Sequence, residues 1–239
     1  MTDAVALLLA GGSGTRMGAE QNKVYLPIGG RAVIDRPLAV LDRSTAVSRI
    51  VLVVRADDRP LVDAAVTRVV RSTPVTVVEG GATRTGSELA GLAVVAAAPP
   101  DERPDVVLIH DAARPFLTAD LLDELIETAH RHGGAVPGVE VTEPIVEAVG
   151  DGTHRARGGR LARVQTPQAF ATDALLAAYD GLDPTAASVD TAHVLELRST
   201  VPVRIVASDD RNLKVTRHED LERADQLASR WDDGRWIDP

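Results

Sequence analysis

The chain reads as an α/β fold: a mostly parallel central sheet covered by helices on both faces. Three observations predict it. Apolar runs alternate with amphipathic segments over nearly the whole length, glycines and charged residues cluster directly after several of those runs, and no internal repeat or low-complexity stretch interrupts the pattern. In order, the apolar runs predict strands at residues 4–10, 49–55, 75–79, 105–110, 134–141 and 203–207. Between and after them, amphipathic spacing predicts helices at 32–44, 58–71, 83–97, 118–132, 172–179, 190–198 and 217–231. Residues 96–100 read as a helix end and loop, and 231–239 as a frayed tail. One region breaks the alternation. Residues 139–149, the turn Gly150-Asp151-Gly152 and residues 160–165 carry glycine and charge instead of a helical apolar face. They predict two extended arms of a projecting hairpin that packs on something else, with a surface loop as the alternative.

Length and composition narrow the classes. At 239 residues the chain suits one domain, 1–239, with 139–165 as an arm. A formal charge of −9 and a pI near 5.1 argue against a nucleic-acid groove, whereas a small phosphorylated ligand needs only a local basic pocket. With no cysteine there is no disulfide, thiol catalysis or cysteine-held zinc. Without a signal-like start or a long apolar span, the expectation is a cytoplasmic chain with no membrane partner.

Chemistry gathers at the predicted carboxyl ends of strands, where open α/β sheets bind ligands. The first apolar run breaks into Gly11-Gly12-Ser13-Gly14-Thr15-Arg16-Met17-Gly18, followed by Lys23. Glycines let backbone N–H groups approach a phosphate, and Arg16 and Lys23 add full charges; the alternative is a tight strand-to-helix turn. No Gly-Lys step exists, which removes a P-loop, and Met17 at the third glycine position weakens a dinucleotide fingerprint. Of the 26 basic residues only Lys23 and Lys214 are lysines, so a compact ammonium is expected to matter there unless chance left them. Asp111, in His110-Asp111-Ala112-Ala113-Arg114-Pro115, can hold Mg²⁺ or a ligand hydroxyl, or else simply cap a turn. His110 reads as structural, and His130 and His132 as the cationic end of a helix.

The starting loop with Lys23, the segment Glu79-Gly80-Gly81-Ala82-Thr83-Arg84-Thr85-Gly86-Ser87, His110 to Pro115, Thr166-Pro167-Gln168 and Asn212-Leu213-Lys214-Val215-Thr216 resemble, in order and spacing, the 2-C-methyl-D-erythritol 4-phosphate cytidylyltransferases. These belong with other cytidylyltransferases of small polyol phosphates, including ribitol-5-phosphate cytidylyltransferase. The resemblance implies a three-layer nucleotidyltransferase fold with a mostly parallel mixed sheet, and a homodimer joined by the 139–165 arm. It implies CTP, a polyol phosphate and Mg²⁺, giving a CDP-polyol and pyrophosphate. Ala10, Gly11, Gly12, Gly14, Gly80, Gly81 and Arg84 would hold the nucleotide, with Ser87 near the base. Arg16, Lys23, Arg157 and Lys214 would act in catalysis, Arg157 across the dimer. Asp111, Arg114, Thr166 and Asp190 would meet the acceptor, Asp111 also serving as metal ligand.

Physical chemistry agrees with such a site: an acceptor phosphate is already a nucleophile at neutral pH, so pre-placed cations, not a general base, are what the reaction needs. Three departures bear on the acceptor. Glu143-Pro144 stands where the family shows Asp-Thr, Val189-Asp190-Thr191-Ala192-His193 where it shows Thr-Asp-acidic-Ala-Ser, and Arg157 lies one residue further from Thr166 than the pattern has it. Residues 9–18 and Ile145-Val146-Glu147 look closer to the ribitol-phosphate enzymes, whereas 80–92 and 110–115 favour methylerythritol phosphate. A nucleotide-binding regulatory protein is the alternative of another class, against which Arg16, Lys23 and Lys214 argue.

Overall fold

A computed structural model describes residues 2–12, 22–148, 154–156, 158–186 and 190–237. The chain runs β1 (Ala4–Leu9), a 3-10 turn (Lys23–Tyr25), β2 (Pro27–Ile28), β3 (Arg31–Ala32), α1 (Asp35–Arg43), β4 (Val47–Val54), α2 (Arg59–Val69) and β5 (Val75–Glu79). It continues with α3 (Arg84–Ala96), β6 (Val106–Asp111), α4 (Ala119–His132), β7 (Gly134–Glu140), β8 (Val146–Ala148), β9 (His154–Ala156), β10 (Ala162–Val164) and β11 (Gln168–Ala171). It closes with α5 (Thr172–Tyr179), α6 (Thr191–Arg198), β12 (Val203–Ala207), α7 (His218–Ala228), β13 (Trp231–Asp232) and β14 (Arg235–Trp236).

The central sheet has the order β10-β7-β11-β6-β1-β4-β5, with β12 also paired to β7. Neighbours among β6, β1, β4 and β5 are parallel, while β10 and β11 run antiparallel to β7. Successive side chains on a strand point to opposite faces, and the packing shows it. Ala4, Ala6 and Leu8 of β1, Ile50, Leu52 and Val54 of β4, and Val106 and Leu108 of β6 enter one core with residues of α1, α2, α4 and α7. Val5, Leu7, Val51, Val53, Val107 and Ile109 enter the other, with α3, α5 and α6. A sheet apolar on both faces explains why its strands read as unbroken apolar runs.

The helices follow from their ends and stripes. Thr118 caps α4 by accepting from the Leu121 N–H, Leu122, Leu125 and Ile126 line its buried side, and Gly133 ends it at φ +100°. Thr83 caps α3 in the same way, and Gly91 lets that helix lie flat on the sheet, since a Cβ there would stand 2.7 Å from Leu7 Cδ2.

Three expectations are corrected. Residues 168–171 form β11 between β6 and β7 in antiparallel pairing; a four-residue strand directly after Pro167 leaves too short a signal for periodicity to find. Helix α1 begins at Asp35, because 31–32 pair with Pro27–Ile28 around Gly29-Gly30, both at positive φ. The tail is not frayed through residue 237. After α7 ends at Ala228, β13 and β14 pair around Asp233-Gly234, φ +36° and +117°, and Phe116 packs edgewise on the Trp231 ring and tilted on Trp236, the two indoles themselves meeting edge to face. Asp-Gly between two short aromatic segments is a strong hairpin signal, and Arg31 and Arg43 clamp the Asp233 carboxylate from the body of the molecule. The arm exists in its described parts: β8 pairs β9 and β10 pairs β7, with Ile145, Val146 and Val164 exposed.

Because Trp231 is buried against Phe116, Trp231→Ala is expected to cost about 3 kcal/mol in denaturant unfolding. Unchanged stability would show the hairpin to be a passenger.

Candidate functional site

Four parallel strands end together, and backbone hydrogen bonds tie the loops that leave them. Ala10 N–H donates to Val53 C=O (2.7 Å), Gly80 N–H to Val54 C=O (2.8 Å) and Ala112 N–H to Leu9 C=O (3.0 Å). Between these loops opens a cavity of about 540 Å³ lined by Ala10, Gly11, Gly12, Lys23, Gly81, Arg84, Ser87, Asp111 and Lys214, among others. The N-terminus of α3 faces it, adding the positive end of the helix dipole. Gly81 must be glycine, since a Cβ there would sit 2.8 Å from the Gly86 backbone. Lys23, Arg84 and Lys214 against Asp111 leave the described lining at +2, in a chain of −9. Such a local excess suits a polyanion.

Asp111 is the centre of this arrangement. Buried at the end of β6, it accepts from Arg84 Nη1 through Oδ1 (2.7 Å) and from Lys214 Nζ through Oδ2 (2.6 Å). Burial opposes its ionisation, but the two cations outweigh it and hold the carboxyl well below the usual carboxylate range. Next to it His110 is fully buried, with Nε2 3.1 Å from the Arg114 carbonyl and Nδ1 3.1 Å from Thr166 Oγ1. Burial pushes its imidazole down to about 4, so it stays neutral, the structural part expected of it.

Thus Ala10, Gly11, Gly12, Lys23, Gly81, Arg84, Ser87, Asp111 and Lys214 meet at one cavity. Gly80 backs it, packed against Ser87, whose hydroxyl donates to the Thr83 carbonyl (2.9 Å). Thr166 lies behind Asp111, its hydroxyl accepting from the Asp111 N–H (3.0 Å). Arg114 donates to the Asn212 carbonyl (2.7 Å) and keeps a buried Nε without a partner among the described residues; with Arg163, Lys214 and Arg223 it lines an adjoining pocket of about 280 Å³. Asp190 caps the approach to α6 and accepts from Gln168. Gly14, Arg16 and Arg157 lie outside the described residues.

Sequence reasoning passed over Asn22, buried and donating to the Ala10 carbonyl (2.7 Å) and to Asp58 (2.8 Å), which pins the start of the turn that carries Lys23. It also passed over Glu88, whose one signal is its spacing of four from Arg84.

Asp111 is the sole carboxylate among the described cavity residues, both its oxygens accept from cations, and no group of three metal-ligating side chains occurs among the described residues.

A three-layer α/β sheet with a glycine-rimmed, cationic cavity at its strand ends defines the class of proteins that take phosphorylated small ligands. Comparison sharpens the class. Residues 4–230 match the model of the family described as IspD: 2-C-methyl-D-erythritol 4-phosphate cytidylyltransferase, and the chain belongs to that family. It is 36% identical over 228 residues to the protein of that name from Geobacillus kaustophilus, covering 94% of this chain and 97% of the relative. The Geobacter metallireducens protein is 39% identical over 224 residues, covering 92% and 95%. Against the bifunctional IspD/IspF enzyme of Dinoroseobacter shibae it is 37% identical, and there the chain spans about half the relative's length, 54%. Among solved structures, 4-diphosphocytidyl-2C-methyl-D-erythritol synthase from Anaerococcus prevotii superposes with a TM-score of 0.82 at 25% identity, covering 96% of this chain and 99% of that one. Among the described residues no helix is long and apolar enough to cross a membrane.

The buried neutral His110 sets a pH dependence. Its folded pKa near 4 lies below the unfolded value near 6.5, so the stability it preserves is full above pH 6.5 and is lost as pH falls towards 4. Unfolding free energy is therefore expected to drop by about 3 kcal/mol across that window. Denaturant titrations at pH 7 and 4.5 should show the drop, and a His110→Gln chain should show a flatter profile.

Proposed function

We propose that this chain transfers CMP from CTP to 2-C-methyl-D-erythritol 4-phosphate. An acceptor phosphate oxygen attacks the α-phosphorus, a P–O bond forms, and the bond to the departing pyrophosphate breaks. The observation that carries the reading is the Arg84–Asp111–Lys214 bridge set into a glycine-rimmed cavity of net positive charge, in a chain matching its family from residue 4 to 230. Ribitol 5-phosphate as acceptor, and a purely regulatory role, have no comparable support from the relatives.

The two halves of the site do different work. Backbone N–H groups of residues 10–12 and at the start of α3 receive the triphosphate, while Gly81 and Ser87, with Gly80 behind them, meet the cytosine edge. Lys23 and Arg16 stabilise charge growing on the α-phosphoryl oxygens and pyrophosphate, an effect worth about 3–4 kcal/mol per donor. Lys214, holding Asp111 with one proton, has further protons to offer the incoming acceptor phosphate. Asp111 accepts from polyol hydroxyls, Thr166 fixes it from behind, and Arg114 and Asp190 flank the acceptor. Mg²⁺ belongs to this reading as the partner of the triphosphate.

The arm completes the site across a two-fold dimer. A two-stranded hairpin is marginal alone in water, and Ile145, Val146 and Val164 give its exposed apolar residues something to cover. In this reading Arg157 acts on the partner's acceptor phosphate, the role the family resemblance implies for it.

Pyrophosphate release with CTP, Mg²⁺ and 2-C-methyl-D-erythritol 4-phosphate is the direct test. Release independent of the acceptor, or faster with ribitol 5-phosphate, sinks the reading. Lys23→Ala is expected to lower kcat by roughly a hundredfold with CTP affinity little changed; a near-normal kcat would make Lys23 a surface cation. Deleting residues 150–158 should weaken association and activity together, followed by sedimentation and pyrophosphate assays. A fully active monomer would refute the shared site.

A further inference from the structure

Glu88 is a fully buried carboxylate that none of the steps above uses. Its Oε1 accepts from Arg84 Nε (2.8 Å) and Thr191 Oγ1 (2.7 Å), and its Oε2 from the Tyr179 hydroxyl (2.5 Å). It therefore joins α3 to the end of α5 and the start of α6.

Helix energetics do not account for the pair. Arg84 opens α3, where the macrodipole disfavours a cation, and the Arg-before-Glu order is the poorer arrangement for a helical pair. Burying a carboxylate is costly, and apolar side chains of similar volume would pack the same space at no loss. What the pair does is geometric. The guanidinium is a rigid planar fork: with Nε fixed by Glu88, Nη1 is delivered to Asp111 Oδ1 at 2.7 Å, while Nη2 stays buried without a partner among the described residues.

We propose that Glu88 is a positioning residue which, through Arg84, sets the orientation of Asp111 towards the polyol hydroxyls of the acceptor. This rests on the cytidylyl-transfer reading. Glu88→Gln keeps the shape but removes the charge that holds Nε and turns one of the two accepting oxygens into an NH2 donor. It is expected to raise the acceptor KM roughly tenfold, with kcat and CTP KM moving less than about threefold. In an Arg84→Ala background the same change should add nothing, because the effect passes through Arg84. Independently of turnover, the Arg84 Nε–H proton should give a protected NMR signal in the native chain and lose it in Glu88→Gln.

An unchanged acceptor KM in folded Glu88→Gln, or equal losses in both backgrounds, overturns the positioning role and leaves Glu88 structural. If Glu88→Gln does not fold, Tyr179→Phe, which strips one donor from Oε2, should move the acceptor KM in the same direction, and no movement overturns the proposal. A native chain that releases no pyrophosphate overturns the functional reading, whereas an Arg84 signal that survives Glu88→Gln overturns the positioning alone.

Discussion

The Asp111 carboxylate, held between Arg84 and Lys214, is the interaction on which the arrangement of the cavity depends. Its partners come from 27 and 103 residues away, from the first turn of α3 and from the loop before α7. One buried charge thus registers two distant parts of the chain against the end of β6. A buried ion group of this kind adds little net stability, because desolvation offsets the Coulomb attraction. Its value is directional: each oxygen is assigned a partner.

That group can form only because the sheet brings its loops to one edge. The register Leu9↔Asp111 and Leu9↔Val53 ends β1, β4 and β6 level, and the Ala10, Gly80 and Ala112 N–H groups each pair with a neighbouring strand's end. The loops therefore start from fixed points, and glycine at 81 lets the next segment pass against Gly86 without a clash. The antiparallel β11 adds a second constraint. By reversing the chain between β6 and β7 it carries Thr166 behind Asp111, where its hydroxyl accepts the Asp111 N–H, and Gln168 to the start of α6. His110 stays neutral in the same packing, so no second charge competes with Asp111 there.

What was legible in the sequence is what depends on short-range pattern. The runs that became β1, β4, β5, β6, β7 and β12 could be read because they are short apolar stretches bounded by turn residues, and the helices because apolar spacing marks them. The glycine loop, Gly81, Asp111 and Lys214 could be read because they fall where strands end. Elements that depend on partners could not. Residues 168–171 become a strand only between β6 and β7, and Trp231 and Trp236 form a hairpin against Phe116, although Asp233-Gly234 announced the turn. Glu88 was invisible for the same reason. Four residues after Arg84 it looks like a solvent-facing helical pair, and its burial follows only from α5 and α6 lying across it.

The two lysines show how composition and geometry combine. In a chain whose other 24 cations are arginine, Lys23 and Lys214 line one cavity. The chemistry of the two cation types explains the division. Arg84 spends a planar fork on two carboxylates at once, and its rigidity is the point, since it transmits the position of Glu88 to Asp111. An ammonium cannot do that. It can instead approach one oxygen of Asp111 closely and keep its other protons free to rotate towards whatever anion enters. The Asp111 carboxylate needs a fixed orientation, while an incoming anion needs a donor that can turn towards it. Arginine at 84 and lysine at 214, each on its own oxygen of that carboxylate, meet those two requirements separately.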